Sequence, residues 1–207
     1  YCLCCCFDRK RLIMALISWL LRKRQSKGYG VHSPFAFNLI TQVLYSPYGY
    51  YAFADIANRV GYDPYEECNQ MLFRLVNHFK PKRILEINPG DGISTQYILA
   101  PSSKTVYTSV EADKLNVFDN ETILREKFDA LFMNLDSENN FVSSLDRLFE
   151  ISNENTFWVI NNINSKGSKQ LWRCIVNDAR INVTFDYKNR TGIAFLRSAF
   201  YKQHYRV

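Results

Sequence analysis

The stretch that most constrains the fold is Lys82–Ala100, KRILEINPGDGISTQYILA. Arg83–Ile87 is a short run with Ile84, Leu85 and Ile87, the length and content of a buried strand. It closes on Glu86-Ile87 and breaks into Asn88-Pro89-Gly90-Asp91-Gly92, where two glycines permit positive φ and close approach of backbone to a ligand. From Ile93 onward the pattern predicts a helix. Strand, glycine-rich turn and helix form the unit with which open α/β sheets hold nucleotide-like cofactors at the carboxyl ends of their strands. An ordinary tight strand-to-helix turn has the same composition, so the flanks must decide between the two.

Thr105–Val110 (TVYTSV) is a second β-branched run, and Glu111 follows it, nineteen residues past Gly92. An acid there is placed to hydrogen-bond a ribose hydroxyl pair. On these residues, EINPGDG resembles the first motif of the class I S-adenosylmethionine-dependent methyltransferases, in a bacterial O-methyltransferase-like group. Asn88 stands where that motif has its first glycine, and asparagine tolerates the left-handed conformation better than other non-glycine residues. The resemblance implies S-adenosylmethionine as cofactor. Glu86, Asn88, Pro89, Gly90 and Gly92 would then lie at its methionine end with Asn134 beside them, and Glu111 at its ribose.

The net charge of +6 suggests a nucleic-acid partner until it is located. Residues 1–27 hold Arg9, Lys10, Arg11, Arg22, Lys23, Arg24 and Lys27 against the single acid Asp8, so all six positive charges reside there. The other 180 residues are balanced, with no excess to supply the basic face of a nucleic-acid binder. Within the arm, Leu12–Leu21 (LIMALISWLL) is too short to span a bilayer. As a helix it sets Arg11, Ala15, Ser18 and Arg22 on one face and Leu12, Ile13, Leu16, Ile17 and Leu20 on the other. Peripheral membrane contact through residues 9–27 and packing on the domain or a second subunit both suit it. Cys2, Cys4, Cys5 and Cys6 cluster without a nearby histidine, and Cys68 and Cys174 are isolated on apolar helix positions. That usage points to a reducing, cytoplasmic setting.

Ser33-Pro34 predicts a helix start, with the hydroxyl as N-cap and proline in the first turn, leading into Phe35–Leu44. The preceding GYGVHSPF resembles an N-terminal signature of the same bacterial group, and His32 either faces the substrate or is structural. Tyr45–Asp63 is rich in aromatics, suiting either a lid over a planar substrate or loop packing. Asp63-Pro64-Tyr65-Glu66 reads as a capping box ahead of a core-facing helix through Cys68, Met71, Leu72, Leu75, Val76 and Phe79.

Only residues 112–128 separate Glu111 from the next strand, Asp129–Leu135 (DALFMNL). A full methyltransferase domain would fit a helix, a strand and another helix there. Either a short strand survives near Leu115–Phe118, or one helix such as Glu121–Lys127 makes the crossing. Thr156–Ile160 is a further strand, with helical patterns on both sides of it. Val183–Tyr187 and Gly192–Arg197 alternate around Lys188–Thr191 as a hairpin. The expected fold is α/β, a Rossmann-like, mostly parallel sheet with helices on both faces, a C-terminal antiparallel hairpin and a shortened region between strands two and four. The chain divides as an arm (1–27), a helical cover (28–80) and a methyltransferase-like core (81–207), one domain overall.

In such a sheet the site lies at the carboxyl ends of the strands. Metal-dependent relatives in the resembled family carry carboxylates after strands four and five, where this chain has Asn134, Asn161 and Asn162. Neutral amides are poor ligands for a hard cation, so no metal is expected. Asp136 is the remaining carboxylate of that row, a candidate general base or a local cap. The leading expectation is a metal-independent methyltransferase acting at oxygen on a small-molecule acceptor. The alternative is a methyltransferase-like binding or scaffolding protein without turnover. A nicotinamide oxidoreductase is disfavoured, because Thr95 replaces the third glycine and Asp91 would sit beside a pyrophosphate. A homo-oligomer and membrane association are compatible with each reading.

Overall fold

A computed structural model of the chain describes residues 15–111, 121–135 and 141–207. A helix over residues 15–25 (α1) is followed by α2 (Pro34–Asn38), which runs on into a π-helical turn, Leu39–Leu44. Then come α3 (Tyr51–Val60), α4 (Glu66–Phe79), β1 (Arg83–Ile87), α5 (Ile93–Leu99) and β2 (Val106–Val110). After α6 (Glu121–Leu124) and β3 (Phe128–Asn134), a 3-10 turn, Phe141–Ser144, leads into α7 (Leu145–Glu150). The chain continues through β4 (Ser152–Asn161), α8 (Lys166–Asn177), β5 (Val183–Tyr187), β6 (Thr191–Phe195) and β7 (Gln203–Arg206).

The described strands form one sheet in the order β2-β1-β3-β4-β6-β5-β7. β6 pairs antiparallel with β4 and β5, and every other pairing is parallel, so β6 alone runs against the rest. The expected mostly parallel sheet with its hairpin is therefore present. β7 is an addition: the polar tail returns to pair in parallel with β5, from Val183 opposite Gln203 to Asp186 opposite Arg206. The candidate strand at Leu115–Phe118 lies outside the described residues, as does the cysteine cluster. α6 occupies the start of the helix expected at Glu121–Lys127.

Alternation along each strand divides the interior in two. Ile84, Phe132, Phe157, Val159, Phe185 and Phe195 face a core closed by α2, its π-helical turn and α4. Leu85, Ile87, Leu131, Met133, Trp158 and Ile160 face the other, closed by α7 and α8. The second layer packs tightly where α8 crosses β6. A Cβ on Gly192 would fall 2.6 Å from the Trp172 ring, so only glycine fits there. Local signals behave as read at Ser33, whose hydroxyl accepts from the Ala36 amide at 3.3 Å with Pro34 in the first turn. The capping box does not form. α4 begins at Glu66, and Asp63 instead accepts from the Tyr65 amide (2.8 Å) and from Asn69 Nδ2 (2.8 Å). The helix starts two residues later than a cap at Asp63 would require, with Tyr65 at its N-cap position, so the Asp63 carboxylate makes an Asx-type turn before the helix.

α1 docks through its polar face. Arg22 donates to Asp186 Oδ1 (3.1 Å), Asp186 Oδ2 (3.1 Å), the Asp186 carbonyl (2.9 Å) and the Val207 carbonyl (3.0 Å). The Arg206 amide donates to Gln25 Oε1 at 2.9 Å. These bonds tie the arm to the ends of β5 and β7. The guanidinium and the carboxylate are both largely withdrawn from water, so removing one partner leaves the other uncompensated. Arg22→Ala is expected to lower stability by about 2–3 kcal/mol in urea denaturation. Lys27→Ala, at an exposed site, should change it by less than about 0.5 kcal/mol. Equal effects would mean that the arm is not held by this contact.

Candidate functional site

Glu86 is fully buried on the α5 side of β1, sharing that face with Ile84. Its carboxylate accepts from Ser94 Oγ (2.9 Å), Thr95 Oγ1 (2.7 Å) and Tyr107 Oη (2.7 Å). Three hydroxyl donors hold a charge that burial would otherwise disfavour, and charge-assisted bonds of this length are among the stronger ones in a protein. Two donors come from the first turn of α5 and one from β2. The bonds therefore lock the helix to β1 at a fixed phase and join it to the neighbouring strand. Burial, with the adjoining Glu86 carboxylate contributing, pushes the Tyr107 hydroxyl up to about 12.

The turn that follows is held in left-handed backbone, with φ of 56° at Asn88, 64° at Gly90 and 75° at Gly92. The Asn88 amide donates to the Val110 carbonyl (2.8 Å), and the Ile93 amide to Asp91 Oδ1 (3.0 Å). A Cβ at Gly90 would meet nothing within 4 Å, so the turn presents bare backbone to open space. That space is a cavity of about 440 Å³, within the range of small-molecule sites.

Across the strand ends runs a row of amides. Asn88 Nδ2 donates to the Asn134 carbonyl (3.1 Å) and Asn134 Nδ2 to the Asn88 carbonyl (2.9 Å). Asn161 Nδ2 donates to Asn134 Oδ1 (2.6 Å), and Thr191 Oγ1 to Asn161 Oδ1 (3.4 Å). The row spans β1, β3, β4 and β6. Carboxylates at these spacings would repel one another, whereas amides donate and accept in turn. Ser165 and Ser168 at the start of α8 both donate to the Leu135 carbonyl, at 3.1 and 2.9 Å, tying α8 to the residue that follows β3.

The opposite wall comes from the start of α4 and the β5–β6 turn, through Asp63, Tyr65, Cys68, Asn69, Arg190 and Thr191. The Arg190 guanidinium carbon lies 3.9 Å from the centroid of the Tyr65 ring. Burial pushes the Cys68 thiol up, so it is held protonated rather than poised as a thiolate. Both Asp63 oxygens are engaged in the turn before α4.

Asn88, Pro89, Gly90 and Asn134 line the cavity, as do Asn161 and Asn162. Glu86 and Gly92 do not: Glu86 sits beneath α5, where it shapes the turn, and Gly92 caps that helix. Glu111 follows β2 and is exposed. His32 is exposed ahead of α2 and is not among the residues that line the cavity. Asp136 lies outside the described residues. Of the aromatic segment, Tyr50 and Phe53 pack on Phe73 rather than closing over the cavity. Tyr65, Cys68, Asn69, Arg190 and Thr191 went unremarked as site residues in the sequence. A signal existed for Arg190, because the turn of a hairpin entered by a strand parallel to β4 must emerge at the carboxyl ends. Among the described residues, no group of three or more His, Cys, Asp or Glu side chains is placed to hold a metal ion.

No family model matches the sequence, and no curated protein does. Solved structures do. An O-methyltransferase from Bacillus cereus in complex with SAH is similar at 15% identity, over 72% of this chain and 92% of that one, with a TM-score of 0.52. A methyltransferase from Geobacter sulfurreducens is similar at 17% identity, over 71% of this chain and 87% of that one, with a TM-score of 0.51. The O-methyltransferase TomG from Streptomyces achromogenes, in complex with SAM, matches at 11% identity over 73% and 92% of the two chains, with a TM-score of 0.51. The class that the sheet order and the glycine turn define is thus the class I methyltransferase fold, and the resemblance carried by EINPGDG holds at the level of the fold.

The Glu86 cluster makes a measurable claim. Tyr107 keeps its proton more tightly in the folded chain than its ordinary value of 10.0, with a folded value of about 12. Its contribution to stability is therefore full below pH 10 and is lost as pH rises to about 12. Denaturation followed across that window should show Tyr107→Phe less alkali-sensitive than the parent. At neutral pH, Glu86→Gln should cost about 2 kcal/mol, since one hydroxyl loses its acceptor. No loss at Glu86→Gln would contradict the hydroxyl cradle.

Proposed function

We propose that the chain is an S-adenosylmethionine-dependent methyltransferase acting at oxygen on a small-molecule acceptor, without a metal ion. The observation that carries this reading is the cavity between the Asn88–Asp91 turn and the amide row, at the carboxyl ends of β1, β3 and β4. The residues present suit the cofactor. Bare backbone at Gly90 leaves room for close approach, and Asn88 and Asn134 offer polar groups to an amino-acid end. Glu111, closing β2, is the residue proposed for the ribose.

When bound, S-adenosylmethionine supplies a methyl group on a cationic sulfur. That methyl group would pass to an oxygen of the acceptor. This chain's part in that step is positioning, which a preformed turn and a self-bonded amide row provide with little reorganisation. The acceptor would enter from the Tyr65–Arg190 side, where an aromatic face and a guanidinium suit a planar or anionic molecule. Asn134 and Asn161 are bonded to each other and Asn161 to Thr191, a donor set unsuited to a hard divalent cation, which supports the metal-independent form.

Calorimetric titration with S-adenosylmethionine and S-adenosylhomocysteine tests the reading. Micromolar binding is expected, unchanged by EDTA and weakened about tenfold or more in Glu111→Ala. Absence of heat with both ligands, and of any shift in melting temperature, would overturn it. Binding abolished by EDTA would overturn metal independence alone.

A further inference from the structure

α1 is docked with its polarity inverted. Ser18, Arg22 and Gln25, at helical spacing, face the domain and are half-buried. Leu16, Ile17, Trp19, Leu20 and Leu21 are between 47% and 55% exposed. Single exposed leucines are ordinary, but five large apolar side chains within six positions of one helix form a patch that calls for a partner. The described residues leave this face uncovered.

The charge around the patch indicates what covers it. Lys23, Arg24 and Lys27 are exposed at the end of α1 and just beyond it, and Lys23 Nζ lies 4.9 Å from the centroid of the Trp19 ring. Beside the docked face, a cavity of about 390 Å³ is lined by Arg22, Lys169, Arg173 and Arg206. Its lining includes one carboxylate, Asp186, which is already paired with Arg22. The fold thus adds three cations from the electrically balanced domain to those of the arm. A second copy of the chain meeting this face across a two-fold axis would set these cations against their equivalents. An anionic bilayer complements both features, since apolar side chains enter the acyl boundary while lysine and arginine meet the headgroups. No helix among the described residues is long and apolar enough to cross a membrane, so α1 would lie in the plane of the surface.

We infer that the outward face of α1, with the cations flanking it, is a docking surface for an anionic phospholipid bilayer. This surface is independent of the cavity at the strand ends, and its fate does not bear on the proposed activity.

Flotation of the full chain with phosphatidylcholine vesicles, with and without about a third phosphatidylglycerol, tests the inference. Two variants accompany it, Leu16→Ser/Trp19→Ser/Leu20→Ser and Lys23→Gln/Arg24→Gln/Lys27→Gln. All six sites are exposed, so melting temperatures should stay close to the parent's. The expected result is binding to the anionic vesicles that falls with added salt and drops about tenfold or more in each variant. The parent remaining unbound, or either variant binding as well as the parent, would overturn it. So would a soluble dimer that the serine variant dissolves in the absence of vesicle binding.

Discussion

A carboxylate with no exposure to water is the constraint on which the site depends. Glu86 can occupy the end of β1 only because Ser94, Thr95 and Tyr107 turn their hydroxyls onto it. Burying an uncompensated charge costs several kcal/mol, so the three donors and the acid must be arranged together or not at all. Satisfying Glu86 fixes the phase of α5, and with it the geometry of the Asn88–Gly92 turn. The acid therefore acts one step behind the cavity, shaping the backbone that a ligand would meet.

The amide row extends this order across the sheet. Strand ends in this fold project side chains towards one another at distances where like charges conflict. Here Asn88, Asn134 and Asn161 resolve the conflict with reciprocal hydrogen bonds, closed by Thr191 at the first residue of the reversed strand. The result is a preformed floor whose amide side chains hold one another in place. Such a floor suits recognition of a zwitterionic amino-acid end by the groups at its margin more than it suits cation coordination. At the other end of the sheet, Asp186 is satisfied from outside the strands, by Arg22. The same principle, a buried acid matched by donors from another element, thus anchors both the turn and the arm.

Much of the core was legible because burial imposes regular patterns. RILEI, DALFMNL and TFWVI are apolar runs of the length and content that strands buried on both faces carry, and the hairpin at Val183–Tyr187 alternates as a paired strand should. β7 was not legible. QHYR has little apolar content, and it pairs at an edge where Tyr205 alone turns inwards. The π-helical turn was equally hidden, since Leu39–Leu44 has the composition of any apolar helix. Within the site, the glycine turn was visible from spacing, but the burial of Glu86 was not inferred, although strand parity places it with Ile84 on the α5 side. Tyr65 and Arg190 lie far apart in the chain, and their stacking arises only when the start of α4 meets the hairpin turn. Pairings of that kind depend on tertiary approach, which local pattern does not encode.

The most direct measurement is a crystal structure of the chain grown with S-adenosylhomocysteine. The account predicts the amino-acid end of the ligand between the Asn88–Asp91 turn and Asn134, with Glu86 still accepting from Ser94, Thr95 and Tyr107. Ligand bound on another face of the sheet, or Glu86 released from its hydroxyl partners to meet it, would contradict the account.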